Sequence, residues 1–202
     1  MAFLNIHTHH PCPEGEYTIP SYGIHPWDVT DQWREQVSVL RETLQSLPSE
    51  TRYFIGECGL DKLAFASYQN QLSAFEAQID LANQFRRPLI IHCVRTVDDL
   101  LRLRKKARTP WVFHGFRGNP QQMQQLLRAG IDISFGFRFN EESVMQCPAE
   151  HLFLETDEGR RDSEGQSDNS IAPLYATIAS LRDISKEALM TQTVTNASRL
   201  FF

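Results

Sequence analysis

Short apolar runs alternate along the chain with longer stretches in which apolar residues recur every three or four positions. The short runs are typical of buried strands, and the longer spacing predicts helices with one buried face. Seven strands are predicted, at about residues 3–6, 17–24, 52–57, 88–92, 111–114, 131–136 and 152–157. Helices are predicted at about residues 28–47, 67–85, 97–107, 120–127, 171–182 and 186–198, and a short one begins near residue 140.

Strands that alternate with helices imply a mostly parallel sheet and an α/β fold. Seven such strands predict a closed or nearly closed TIM-type β/α barrel. The chain has no internal repeat and no domain linker, so we expect one domain over residues 1–202. Residues 158–170 are polar, charged and glycine-containing, and this composition predicts a mobile loop.

Metal-ligating side chains follow the predicted strands at their C-terminal ends, where β/α barrels carry their active sites. The set comprises His7, His9, His25, Glu57, His92, His114 and Asp157. Because side chains on a strand alternate with period two, His7 and His9 should point the same way. Imidazoles and carboxylates without thiolates favour Zn²⁺, Mn²⁺, Fe or Mg²⁺, and a set of this size suits two ions.

Each of these residues also has an ordinary structural interpretation. His25 precedes a proline and could be a satisfied turn histidine, while His92 or His114 alone could be a core histidine. Glu57 and Asp157 could cap the helices that follow them. Taken together, so many ionisable groups at one mouth would repel or desolvate one another without a cation, which favours the metal site.

Charge and cysteine content narrow the function classes. The net charge of -5 provides no basic surface for extended, non-specific DNA binding. The four cysteines are scattered without a CxxC pair, and no signal peptide precedes the first strand, so we expect reduced thiols and a cytoplasmic protein. No apolar run approaches the ~20 residues that span a membrane.

An ordered series of short motifs runs from one end of the chain to the other. It comprises His7-Thr8-His9, Gly23-Ile24-His25-Pro26, Ile55-Gly56-Glu57, Gly59-Leu60-Asp61, Pro88 to His92, His114-Gly115-Phe116, Glu155-Thr156-Asp157 and Arg199-Leu200-Phe201. In this order the motifs resemble the TatD family of metal-dependent hydrolases, a branch of the amidohydrolase-like barrels. The resemblance implies a deoxyribonuclease-type enzyme that hydrolyses phosphodiester bonds of nucleic acid with a metal-activated water.

The resemblance also implies roles for individual residues. His7, His9, Glu57 and Asp157 would hold one divalent ion, and Glu57, His92 and His114 would hold a second, with Glu57 bridging. Asp157 would also act as general base towards the attacking water. The residues expected to contact the substrate are His25, Arg95 and Arg117.

The chain departs from the family pattern at three places. Only about fifteen residues separate the first histidine pair from Gly23, where the family has a much longer segment, so we expect an abridged barrel that lacks one β/α stretch after strand 1. Asn5 stands where the family has an aspartate, and it cannot offer a carboxylate to an imidazole. Arg95 lies one residue farther from His92 than in the family pattern.

Two other functions remain open from sequence alone. The same metals could hydrolyse a small phosphoester, an ester or an amide, including the ester of a mischarged tRNA. A shortened barrel could also be a degenerate, non-catalytic binding protein, although every expected ligand type is present. The sequence leaves the native metal and the oligomeric state open, with a monomer favoured.

Overall fold

The computed structural model describes residues 2–157 and 170–201, in which strands and helices alternate as predicted. The strands are β1 Phe3–Leu4, β2 Glu16–Tyr17, β3 Ser21–Tyr22, β4 Phe54–Asp61, β5 Leu89–Val94, β6 Trp111–Phe113, β7 Ile131–Phe135 and β8 Leu152–Leu154. The helices are α1 Trp33–Ser46, α2 Tyr68–Phe85, α3 Val97–Arg104, α4 Pro120–Arg128, α5 Glu141–Gln146, α6 Ala172–Leu181 and α7 Lys186–Arg199, and a 3₁₀ turn spans Ala149–His151. The predicted α/β class is confirmed.

The chain divides into two compact units. Unit 1 contains the described residues between 2 and 19 and between 114 and 200, and unit 2 contains residues 20–113 with residue 201. Each unit has its own buried apolar residues. The expectation of one domain over residues 1–202 stays a prediction.

Unit 2 is a parallel sheet in the order β3-β4-β5-β6, accompanied by α1, α2 and α3. Strand β5 begins with Leu89, Ile90 and Ile91, which are fully buried, as predicted for a strand covered on both faces. Helix α2 begins directly after Ser67, the predicted start, and ends at Phe85; the next residue, Arg86, adopts a left-handed conformation with φ 53°.

Strand β4 is longer than predicted and continues through Asp61. Its pairing with β5 is irregular between Ile55 and Cys58, so Glu57 lies within the irregular stretch. Farther along, Gly59 pairs with His92, and a Cβ at Gly59 would lie 2.0 Å from the His92 carbonyl oxygen. Only glycine permits this close approach, and with it β4 continues beside β5 as far as Asp61.

Unit 1 contains two parallel pairs, β1 with β2 and β7 with β8. Beyond these pairs the chain segments continue side by side, since Ile6 N donates to Leu154 O at 3.0 Å and Asp157 N donates to His7 O at 3.2 Å. Helices α4 to α7 belong to this unit. The buried Tyr175 of α6 donates its hydroxyl to Leu4 O at 2.8 Å and thereby fastens β1.

The strand predicted at residues 17–24 is two short strands, β2 and β3, and this raises the number of strands among the described residues from seven to eight. Pro20 lies between them and has no backbone N–H to donate to a ladder. Strand β2 pairs with β1, whereas β3 pairs with β4. Most of the loop predicted at residues 158–170 lies outside the described residues.

Helix α1 begins at Trp33, a few residues later than predicted. The side chain of Gln36 explains the delay, because its Oε1 accepts from Thr30 N at 3.0 Å and its Nε2 donates to Asp28 O at 2.8 Å. These bonds hold the preceding residues in a turn. The other predicted helices are found within a few residues of their expected ends.

Candidate active site

Four of the predicted metal ligands meet in unit 1, around the carboxylate of Asp157. His7 Nε2 and His9 Nε2 lie 3.6 and 3.8 Å from the same oxygen, Asp157 Oδ1. His114 Nδ1 lies 3.8 Å from the other oxygen, Oδ2. His7 and His114 are buried, whereas the Asp157 side chain is 31% exposed and reaches solvent. The two histidines of the first strand point the same way, as alternation predicts.

Glu155 belongs to this cluster, and the sequence did not identify it as a site residue. It is fully buried, and its Oε1 accepts from Gly115 N at 2.5 Å and lies 3.3 Å from His114 Nδ1. Burial by itself raises the pKa of Glu155, but the hydrogen bond to His114 and the nearby His7 hold it below its ordinary value. Its place in the Glu155-Thr156-Asp157 motif is its only trace in the sequence, because the left-handed backbone at Asp157 (φ 50°) ends the strand alternation and the two-residue spacing gives no direction.

Asn5 fixes the segment that carries these carboxylates. Its Nδ2 donates to Thr156 Oγ1 at 2.9 Å, and its Oδ1 accepts from Thr156 N at 3.1 Å. Both side chains are buried. The amide therefore ties the end of β1 to the residue directly before Asp157, a role for which both its donor and its acceptor are needed.

Unit 2 holds a second cluster, formed by His25, Glu57 and His92. Glu57 Oε1 lies 2.8 Å from His25 Nε2 and 2.7 Å from His92 Nδ1. The two imidazoles are themselves 3.3 Å apart, between His25 Nε2 and His92 Nδ1. His25 is held on its other side, because Trp27 N donates to its Nδ1 at 3.1 Å.

Asp61 and Trp27 support this second cluster, and the sequence did not assign a role to either. Asp61 Oδ2 lies 3.2 Å from His92 Nε2 and accepts from Trp27 Nε1 at 2.6 Å. Asp61 Oδ1 accepts from Leu63 N at 2.7 Å. Burial raises the pKa of Asp61, but these hydrogen bonds together lower it by more than burial raises it. The pKa of Asp61 is therefore below its ordinary value. A carboxylate on one ring nitrogen orients the other, here towards Glu57.

The donor atoms suit a divalent cation in each unit. In unit 1, His114, Glu155 and Asp157 offer three ligand atoms within 4.8 Å of one another, and in unit 2 the same is true of His25, Glu57 and His92. Glu155 Oε2 is buried and has no hydrogen-bond partner in the part of the chain that the structure describes. A buried carboxylate oxygen without a donor fits a position that a cation satisfies.

The two predicted phosphate-binding arginines have different surroundings. Arg117 is exposed and lines a cleft of about 310 Å³ in unit 1, together with Arg138, Phe137 and the carboxylates Glu155 and Asp157. Arg95 is exposed in unit 2, directly after β5, where it adopts a left-handed conformation with φ 57°. Arg117 therefore lies beside carboxylates of a candidate ligand cluster.

Comparison with known sequences identifies a family for this chain. The family model described as "TatD related DNase" matches residues 12–202. A protein of Klebsiella pneumoniae (strain 342) named "3'-5' ssDNA/RNA exonuclease TatD" is 32% identical over an alignment of 204 positions, which covers 89% of this chain and 75% of the relative. The protein of the same name from Erwinia tasmaniensis is 28% identical over an alignment of 223 positions, which covers 98% of this chain and 82% of the relative.

Solved structures share the fold. YJJV, a TatD homologue from Escherichia coli k12, has a TM-score of 0.74 at 24% identity, over 94% of this chain and 78% of that one. A TatD family hydrolase from Entamoeba histolytica has a TM-score of 0.72 at 21% identity, over 93% and 76%. This likeness confirms the predicted TIM-type β/α fold. The chain covers only part of each of these structures, and the loss of one β/α stretch after strand 1 stays a prediction. No helix among the described residues combines the length and the apolar character needed to cross a membrane.

Proposed function

The chain belongs to the TatD related DNase family, and from this premise we propose that it is a metal-dependent hydrolase that removes nucleotides from the 3' ends of single-stranded nucleic acid. Membership places it among hydrolases of phosphodiester bonds, as the exonuclease names of its relatives indicate. The observation that carries the proposal is the pair of imidazole and carboxylate clusters, one in each unit, with three ligand atoms within 4.8 Å in each.

In unit 1, His7, His9, His114, Glu155 and Asp157 are the residues that would hold a divalent ion. In unit 2 the corresponding residues are His25, Glu57 and His92. The assignment implied by family resemblance, in which Glu57 bridges two ions, stays a prediction. Nitrogen and carboxylate donors of this kind suit Zn²⁺, Mn²⁺, Fe or Mg²⁺.

A bound divalent ion supplies Lewis-acid polarisation of a phosphoryl oxygen and lowers the pKa of its water. The chain's own residues would position the attacking water and take its proton. Asp157 is the general base of the proposal, because its carboxylate borders both the histidines and the open cleft and can take a proton from water at Oδ1 or Oδ2. Asp61 and Trp27 keep His92 oriented towards Glu57.

The charged residues near the two clusters indicate how a nucleic-acid substrate would be bound. Arg117 at the cleft offers a planar set of donors that matches two phosphate oxygens. His25 and Arg95 belong to unit 2, where His25 contacts Glu57 directly and Arg95 is exposed to solvent. With a net charge of -5, the chain has little general attraction for nucleic acid, and this favours local capture of an end over extended binding.

The test is hydrolysis of 5'-labelled single-stranded DNA and RNA after reconstitution with Mg²⁺, Mn²⁺ or Zn²⁺. A ladder that shortens from the 3' end is expected from the wild type, and none is expected from Glu57→Gln or Asp157→Asn. Glu187→Gln, on the exposed surface of α7, is the matched control and should retain activity.

The same samples separate the remaining alternatives. Chromogenic phosphodiesters, phosphomonoesters and carboxylic esters, offered in parallel, identify a small-molecule hydrolase if they are cleaved while oligonucleotides are not. Metal content after purification is measured on all variants. A protein that binds no metal and cleaves nothing would contradict the proposal.

A further inference from the structure

The loop after β7 presents an aromatic ring to solvent at the edge of the cleft. Phe135, the last residue of the strand, is fully buried and packs edge-on against Phe116 with ring centroids 5.8 Å apart. Two residues later Phe137 is 45% exposed and lines the cleft. Phe135 is therefore part of the hydrophobic core of unit 1, whereas Phe137 is not buried in that core.

The two loops that form the cleft walls are fastened to each other and to the sheet. Phe116 N donates to Ser134 O at 3.0 Å, which fixes the wall that carries Arg117. The other wall ends at Asn140, whose side chain caps α5 by accepting from Ser143 N at 2.9 Å. Ser143 Oγ in turn donates to Gly118 O at 2.8 Å and joins the two walls. The cleft is thus a preformed feature.

Charges of both signs line the cleft. Glu155 and Asp157 belong to the candidate metal ligands, while Arg117 and Arg138 are exposed lining residues. A phosphate group is repelled by the carboxylates and attracted by the guanidinium groups. Phe137 lines the same cleft, so the arginines and the ring offer contacts to a phosphate and to a flat apolar group at once.

We propose that this cleft binds one unpaired nucleotide at a strand end, with Phe137 stacking on the base while Arg117 and Arg138 hold the neighbouring phosphates. The volume of about 310 Å³ suits a single small ligand, such as one nucleotide. An aromatic side chain reaches the face of a base only when that base is unstacked. Phe137 therefore determines the preference for single strands, an inference that rests on the proposed function.

The preference for single strands is measured by fluorescence anisotropy, with labelled dT oligonucleotides and a blunt duplex of the same length. EDTA is present, so that no hydrolysis occurs. Phe137→Ala should weaken single-strand binding about 5- to 100-fold and leave duplex binding nearly unchanged. Phe137→Trp should retain single-strand binding, and Phe137→Leu should fall between the two. Because the ring is exposed, these variants should unfold at the wild-type temperature.

The arginines are tested in the same assay through its salt dependence. Arg117→Gln and Arg138→Gln should weaken binding to single strands and duplex alike, and each should lower the salt slope by about 1. Arg128→Gln is the matched control, since Arg128 is exposed at the end of α4, next to the N-terminal end of β7 and away from the cleft.

Three results would overturn the inference: a Phe137→Ala variant that binds single strands as the wild type does, a variant that loses single-strand and duplex binding equally, or a wild type that does not bind single strands. These failures are distinct from failure of the proposed function, in which the wild type binds single strands through Phe137 but hydrolyses no nucleic acid with any metal.

Discussion

Replacement of Asn5 by alanine tests whether the first strand holds the segment that carries the catalytic carboxylate. The amide of Asn5 makes two buried hydrogen bonds to Thr156, at 2.9 Å to its hydroxyl and at 3.1 Å from its backbone N–H. The next residue, Asp157, is the proposed general base. We therefore expect Asn5→Ala to reduce both the stability of unit 1 and its affinity for a divalent ion.

The expected loss of stability follows from what alanine leaves behind. Two neutral hydrogen bonds contribute about 1 kcal/mol each, and a buried N–H left without an acceptor costs about 1–3 kcal/mol. Asn5 is 1% exposed, so water does not readily replace the lost partner. We expect a decrease of about 2–4 kcal/mol in the free energy of unfolding, a large part of the 5–15 kcal/mol that is usual for a folded protein.

Urea unfolding measures this decrease, and Asn119→Ala is the matched control. Asn119 also accepts one hydrogen bond, from Gln122 N at 2.9 Å, but at an exposed helix start, so its loss should cost only about 1 kcal/mol. A double-mutant cycle with Thr156→Val isolates the bond between the two side chains, for which we expect about 0.5–1.5 kcal/mol. If Asn5→Ala costs no more than Asn119→Ala, the amide does not fasten this segment.

Two further substitutions test other contacts of the same kind. Asp61→Asn replaces one carboxylate oxygen by a donor that cannot accept from Trp27 and His92. Isothermal titration should then show an affinity for divalent ions that is about 10- to 100-fold weaker. Asp98→Asn, at an exposed position, is the control and should leave this affinity unchanged. Tyr175→Phe leaves Leu4 O without its 2.8 Å donor and should cost about 1–3 kcal/mol in urea unfolding; a loss no larger than that of half-buried Tyr22→Phe would contradict this.

Most helices and the parallel pairing could be predicted because their causes are local. Apolar periodicity predicted α2 from Ser67 to Phe85, and the buried run at the start of β5 was visible as consecutive apolar residues. The extension of β4 to Asp61 was not predicted, because it depends on the approach of Gly59 to the backbone of β5. The division of the second predicted strand likewise depends on which neighbours its two halves pair with.

The roles of Glu155 and Asp61 could not be predicted because each depends on partners far away in the chain. Glu155 is placed by Gly115 N, forty positions earlier, and Asp61 by Trp27, thirty-four positions earlier. Both residues stood in motifs that matched the family, but a motif does not say which of its carboxylates contacts an imidazole. The change from aspartate to Asn5 was interpreted as the loss of a carboxylate, whereas the structure uses both ends of the amide.

Side-chain direction beyond a strand end depends on the backbone there, and this explains which predicted site residues come together. Alternation predicts that His7 and His9 share a side, and both face Asp157 Oδ1. Arg95 and Asp157 have φ values of 57° and 50°, so alternation ends before them and their directions cannot be inferred from spacing. Asp157 still reaches the histidines because its N–H is bonded to His7 O, a long-range contact without any signature in the sequence.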